Sequence, residues 1–320
     1  MRIIFLSTPE FGIASLEKLI ESPKHEVVAV VTQCDKPSGR GNHLKQSAIK
    51  EFALSKGLKV LTYEKISRDG LEDLRNLKPD IMITCAYGQI LSQAIIDIPK
   101  YGIINVHASL LPKYRGASPI QTCIIKGESE TGITIMQTEA GLDTGDILSR
   151  ATTKIGEEET AGELSERLSL LGAELLLSTL DDIECGETQP EKQQHANATI
   201  TTKINKEDCY INFNKSAKQV KCLILGANPD PIATTRLGKD LVKIYRARVA
   251  YDLPDSGKEV GEIIEPSSAK RGVFVQCGTG VLEIVEAQFA GGKVLPAKQL
   301  FGGRKFAIGM KFEPVLFPEI

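Results

Sequence analysis

The chain has 320 residues, 42% of them hydrophobic, with 39 Lys and Arg against 41 Asp and Glu and a formal net charge of −2. That is enough apolar material for two globular domains, each burying its own core, and the near balance of charge excludes a strongly polyelectrolyte protein. Seven cysteines without a C-x-x-C pair argue for a reducing compartment and against a structural zinc site, and charged residues break every apolar run before the roughly 20 residues needed to span a bilayer.

The chain opens directly on a strand-like run, Ile3–Leu6, without signal-peptide architecture, so a cytoplasmic protein is expected. Short β-branched runs recur at Val27–Val31, Ile81–Thr84 and Ile103–Val106, separated by helix-period stretches at Ile13–Ile20, Ala48–Leu54 and Leu71–Leu77. This alternation predicts an α/β domain with an open, doubly wound, Rossmann-like sheet, whose ligands bind beyond the C-terminal ends of the strands. Neither G-x-G-x-x-G nor G-x-x-x-x-G-K-[ST] occurs, so the phosphate cradles of nicotinamide enzymes and P-loop proteins are absent.

An amphipathic stretch at Glu163–Leu180 closes this part, and residues 184–208, rich in Gln, Thr, Asn, Lys and Glu, read as a linker. The expected domains are therefore 1–183, a linker at 184–208, and 209–320. In the last, a helix at Ser216–Leu225 precedes short alternating runs at Ala233–Arg236, Leu241–Ala247, Gly261–Ile264, Val273–Gln276 and Val281–Val285, the pattern of a smaller OB-like β-barrel. Gly278-Thr-Gly280 reads as a hairpin turn between two of these strands. Residues 206–320 carry 17 Lys and Arg against 13 Asp and Glu, a mildly basic balance compatible with a polyanionic partner.

The densest chemistry follows the strand ending at Val106. Strand alternation sends Asn105 and His107 to one side, so an amide and an imidazole converge on one small substrate. A second cluster, Gly141-Leu-Asp143-Thr-Gly145, follows the strand-like Ile133–Gln137, and its glycines let a tight turn carry a carboxylate close to a ligand. Taken singly, a strand-end histidine and a Gly-Asp turn both have structural readings.

Together, Asn105-x-His107-x-Ser109-Leu110-Leu111-Pro112 and Gly141-Leu-Asp143-Thr-Gly145 resemble the active-site signature of the 10-formyltetrahydrofolate-dependent formyltransferases and hydrolases. Within that superfamily, Ser7-Thr-Pro9-Glu10-Phe11, Asp35-Lys-Pro-Ser-Gly39-Arg40-Gly41, Ala86-Tyr87-Gly88-Gln89-Ile90-Leu91 and the C-terminal domain resemble members that formylate methionyl initiator tRNA. The resemblance spans essentially the whole chain and is strongest from 80 to 150. Ser7 stands where the family usually has Gly and Ser92 where it has Pro, and the family's tryptophans are missing.

The resemblance implies transfer of a formyl group from 10-formyltetrahydrofolate to the α-amino group of methionyl initiator tRNA, with no metal, by a monomer. It implies catalytic roles for Asn105, His107 and Asp143. Asn105 would donate to the formyl oxygen, while His107 and Asp143 would share proton transfer in an order the sequence leaves open. Gln89, Ile90, Leu91, Ser109, Leu110, Leu111 and Pro112 would line the folate pocket, and Lys36, Arg40, Lys45 and Lys206 would meet tRNA. Three alternatives share much of this pattern: a formyltransferase for a small amine, a formyltetrahydrofolate hydrolase, and a noncatalytic RNA-binding protein on the same fold. The polar, basic loop at 35–45 and the extra barrel are features a small acceptor would not need.

Overall fold

The computed structural model describes residues 1–38 and 43–315. The chain divides into two compact units: Met1–Gly116, Thr131–Thr153 and Ser165–Thr201 form one, and Ala117–Glu130, Lys154–Leu164 and the chain from Thr202 onward form the other.

The first unit is built on seven strands: β1 (Arg2–Ser7), β2 (Glu26–Gln33), β3 (Val60–Tyr63), β4 (Ile81–Cys85), β5 (Ile103–His107), β6 (Glu130–Gln137) and β7 (Ile147–Lys154). They lie in the order β7-β6-β5-β4-β1-β2-β3. Parallel pairing runs from β3 through β2, β1 and β4 to β5, and β6 then joins β5 antiparallel. All five residues of β4 are buried, which is why its sequence is a continuous apolar run rather than an alternating one. Helices at Ile13–Glu21, Ala48–Ser55 and Leu71–Asn76 lie in the crossovers, and the Ser47 side chain caps the second by accepting from the Lys50 amide. The order reverses at β1, so the carboxyl ends of β1, β4 and β5 open on the crevice where doubly wound sheets bind ligands.

The second unit contains β8 (Ala233–Leu237), β9 (Asp240–Val249), β10 (Ile263–Ser268), β11 (Gly272–Gln276), β12 (Val281–Phe289) and β13 (Phe312–Glu313), with Leu295–Pro296 added to β12. Its antiparallel order is β10-β11-β12-β9-β8-β13. Gly278-Thr-Gly280 turns β11 into β12, with the Cys277 amide bonded to the Gly280 carbonyl at 3.0 Å. The sheet then curls onto itself: Ile263 N donates to Met310 O at 2.7 Å and Phe312 N to Gly261 O at 2.8 Å, joining the start of β10 to the chain entering β13. Closure removes the open edges that an isolated sheet would expose. The interior holds Phe213, Phe289, Phe306 and Phe312, the last stacked on Phe213 with ring centroids 5.4 Å apart. Across its mouth lies the helix Ala217–Gly226, opened by a capping box between Ser216 and Gln219. The expected combination of a Rossmann-like domain and a smaller OB-like barrel is borne out.

The long helix Ala161–Cys185 starts within the second unit. Thr160 and Glu163 cap it reciprocally, and the Glu163 carboxylate also binds Arg246 on β9. The Arg246 hydrogen bond, then that from the Thr160 amide, hold the Glu163 carboxyl below its usual range. A carboxyl depressed in the folded state stabilises the protein above its unfolded pKa of about 4.3 and loses that contribution as pH falls through the folded value. Replacing Arg246 by Met should therefore lower stability at neutral pH and leave a difference from the parent that narrows as pH falls through the folded pKa of Glu163, read by urea unfolding across pH.

Candidate active site

Asn105 and His107 sit two residues apart on β5, at its carboxyl end. Asn105 pairs in register with Thr84 on β4, and the Thr84 hydroxyl donates to Asn105 Oδ1 at 3.0 Å. The Asn105 amide is placed with its oxygen toward Thr84, whose hydroxyl also lies 3.3 Å from Ile104 O. The Asn105 Nδ2 group, with no described acceptor, is left as a donor for a ligand. On the other side, β6 holds the turn after β5: the Thr134 hydroxyl donates to Ser109 O at 2.7 Å and accepts from Leu111 N at 3.1 Å.

His107 is 6% exposed and has oxygen on both ring nitrogens. Nε2 lies 3.0 Å from the Tyr114 carbonyl, to which it can only donate, and Nδ1 lies 3.7 Å from Asp143 Oδ2. With Nε2 protonated, Nδ1 faces a carboxylate it can serve as a donor only in the charged ring. The same Asp143 oxygen accepts from the Gly116 amide at 2.7 Å. The carboxylate thus reaches the histidine from a loop between β6 and β7, with one backbone donor already in place. Cys85, fully buried at the end of β4, has its thiol pushed up to about 12 by burial, so it stays neutral and is no nucleophile.

Behind Asp143 lies a layer that the sequence reading missed. Gln193 donates to the carbonyls of Asp143 and Gly145 and accepts from Arg115, whose Nη2 also lies 3.1 Å from His195 Nδ1. Tyr114 N donates to Thr199 Oγ1 at 2.8 Å, and Arg115–Gly116 pair in parallel with Ile200–Thr201. Gln193, His195 and Thr199 all belong to the segment 184–208 expected to act as a linker.

Of the expected folate-pocket residues, several already carry structural bonds. Gln89 bridges with its amide to Ile66 N and Tyr63 O, and Ile90 O accepts from Ser67. Ser109 is fully buried, its hydroxyl donating to Lys113 O at 2.6 Å, and Leu111 packs with Met136 and Ile147. Ile90 is 89% exposed, a large apolar side chain left in solvent near the strand ends. Lys36 and Lys45 face each other across a short hairpin of Lys36–Ser38 and His43–Lys45. Arg40 lies outside the described residues. Lys206 is exposed in the second unit, one residue before the short turn Glu207–Cys209. Among the described residues no group of three or more His, Cys, Asp or Glu could hold a metal ion, and no helix is long and apolar enough to cross a membrane.

The family model described as formyl transferase matches residues 1–180, and that of the formyl transferase C-terminal domain matches 203–305. The methionyl-tRNA formyltransferase of Citrifermentans bemidjiense is 45% identical over 97% of this chain and 95% of its own. That of Acetivibrio thermocellus is 43% identical over 97% and 98%. Among solved structures, the sugar 3N-formyl transferase WlaRD, determined in the presence of dTDP and 5-N-formyl-THF, superposes with a TM-score of 0.67 at 21% identity over 92% of this chain and 99% of its own. HypX from Aquifex aeolicus in complex with tetrahydrofolic acid gives 0.62 at 17% identity, over 94% of this chain and 47% of its own. At such identities these two matches speak for the fold.

The turn that carries Asp143 has no spare volume. A Cβ added to Gly145 would lie 1.8 Å from the Gln137 carbonyl oxygen, which is backbone and cannot swing aside. Gly145→Ala should cost about 2–3 kcal/mol, as overpacking does, measured by chemical denaturation, with the fold retained by circular dichroism.

Proposed function

The chain belongs to the formyl transferase family, among the methionyl-tRNA formyltransferases, and from that premise we propose that Asn105, His107 and Asp143 carry formyl transfer from 10-formyltetrahydrofolate to the α-amino group of methionyl initiator tRNA. The observation that carries this reading is the close approach of Asp143 to buried His107 at the end of β5, beside an asparagine whose oxygen is occupied and whose amide hydrogens meet no acceptor among the described residues.

The folate cosubstrate supplies an activated formyl group on nitrogen. As the substrate amine adds to the formyl carbon, negative charge grows on the formyl oxygen, and Asn105 Nδ2 is the donor aimed to meet it. A fixed amide in a site with little water strengthens toward the transition state and needs no reorganisation. His107 is held between the Tyr114 carbonyl and the Asp143 carboxylate, in place to pass a proton. The C–N bond to the acceptor forms and the C–N10 bond breaks. The proton shed by the amine passes through the His107–Asp143 pair to N10 of the leaving folate. An α-amino group has a reference pKa of about 7.7–8.0, so much of it is already neutral near pH 7.5 and the site chiefly has to position it.

The folate surface is assigned to Gln89, Ile90, Leu91, Ser109, Leu110, Leu111 and Pro112. Exposed Ile90 and partly exposed Leu110 offer apolar contact, while Gln89 and Ser109 hold the pocket wall through their internal bonds. The tRNA contacts are assigned to Lys36, Arg40, Lys45 and Lys206, of which Lys36 and Lys45 are cross-strand partners and present two cations side by side. We assign residues 1–183 to catalysis, 184–208 to a connection whose stretch through Thr201 also packs behind Asp143, and 209–320 to tRNA binding, in a cytoplasmic monomer.

Asn105→Ala should lower kcat roughly 10²- to 10³-fold with KM for both substrates nearly unchanged, measured by formylation of charged initiator tRNA with 10-formyltetrahydrofolate. Acceptor competition among charged initiator tRNA, elongator tRNA and small amines tests the substrate. Preference for a small amine would overturn it.

A further inference from the structure

The amide of Gln193 is used to its full capacity. Its oxygen accepts two bonds from Arg115, from Nε at 3.1 Å and from Nη2 at 2.6 Å, and its nitrogen donates two, to Asp143 O at 2.9 Å and Gly145 O at 2.7 Å. The orientation is unambiguous, because a guanidinium has only donors and a carbonyl only lone pairs. Gln193 is 6% exposed, and Arg115 likewise. A side chain that merely filled space would not need four directed bonds, two of them to the carbonyls that flank Thr144.

Those carbonyls belong to the turn that delivers the carboxylate. Asp143 has φ of 49°, in the left-handed region that a non-glycine residue adopts at a cost of about 1 kcal/mol. Gly116 N–H holds the carboxylate from the front, and Gln193 holds the backbone from behind. Arg115, permanently charged and buried, polarises the Gln193 amide, which strengthens its grip on both carbonyls. Arg115 and Gly116 are consecutive, so one dipeptide sets both ends of the clamp.

We propose that Gln193, held by Arg115, is a positioning residue that fixes the Asp143 carboxylate against His107. The proposal rests on the reading of Asp143 as catalytic given above.

Two variants of the full chain test it. Gln193→Glu keeps oxygen acceptors for Arg115, turning that contact into an ion pair, but removes both donors to the turn. Gln193→Met removes everything at similar volume. In formylation of methionyl-tRNA, Gln193→Glu is expected to lower kcat roughly 10- to 100-fold, with KM for folate and tRNA within about twofold of the parent. The pH profile of kcat should change shape, because that profile reports the His107–Asp143 pair. Gln193→Met should lower kcat per folded molecule by a similar factor, with folded fraction measured by urea unfolding. The clamp is overturned if both variants keep kcat per folded molecule within about twofold and an unchanged pH profile while the parent is active. A parent chain that formylates nothing overturns the catalytic reading itself, and the clamp with it.

Discussion

The structure depends on keeping one carboxylate, Asp143, largely out of water beside an imidazole. Burying an anion costs several kcal/mol unless it is paired and hydrogen-bonded, so the surroundings have to supply partners. Gly116 supplies a backbone N–H and His107 the ring, and both stand on the stretch that leaves β5. Bringing them into place forces φ to 60° at Tyr114, 98° at Gly116 and 49° at Asp143. At the two non-glycine positions this strain is of the order of 1 kcal/mol each, offset by the bonds from Tyr114 N to Thr199 and from Gln193 to the Asp143 turn. Gly116 has no alternative, since a Cβ there would lie 2.5 Å from Thr201 O. The chain at 199–201 therefore dictates a glycine 85 residues earlier.

How much of this is legible in the sequence follows from what kind of signal each residue leaves. Asn105 and His107 could be placed together because a strand repeats every two residues, and Asp143 because glycines announce a tight turn. Thr84 could not be found that way. It lies in a fully buried apolar strand, and its bond to Asn105 exists only through the cross-strand register of β4 and β5. Gln193, His195 and Thr199 were hidden for the opposite reason. Their segment is polar, and composition reports an affinity for water without saying whether protein groups replace it. Ser109 shows the same ambiguity, for its hydroxyl closes a turn on Lys113 O. In the barrel the five longer strands stand out as short apolar runs between turns, but the closing bonds, Ile263 N to Met310 O and Phe312 N to Gly261 O, involve a stretch, 309–312, with no such run to mark it.

The three residues of the site are held by different means, and this separates what can vary from what cannot. Asn105 and His107 inherit their positions from sheet register, so anything that preserves β4, β5 and β6 preserves them. Asp143 arrives on a connection between β6 and β7 and is fixed only by the bonds at its own turn. Within that connection the division is sharp. Glu139 to Leu142 are exposed, Leu142 by 57%, whereas Gly145 is buried against the Gln137 carbonyl and tied to Gln193. The base of the same loop is constrained by the Gln137 backbone against Gly145 and by the Gln193 side chain. Two of the three side chains proposed for catalysis are thus anchored in the sheet, while the third depends on a turn whose base is fixed and whose tip stands in solvent.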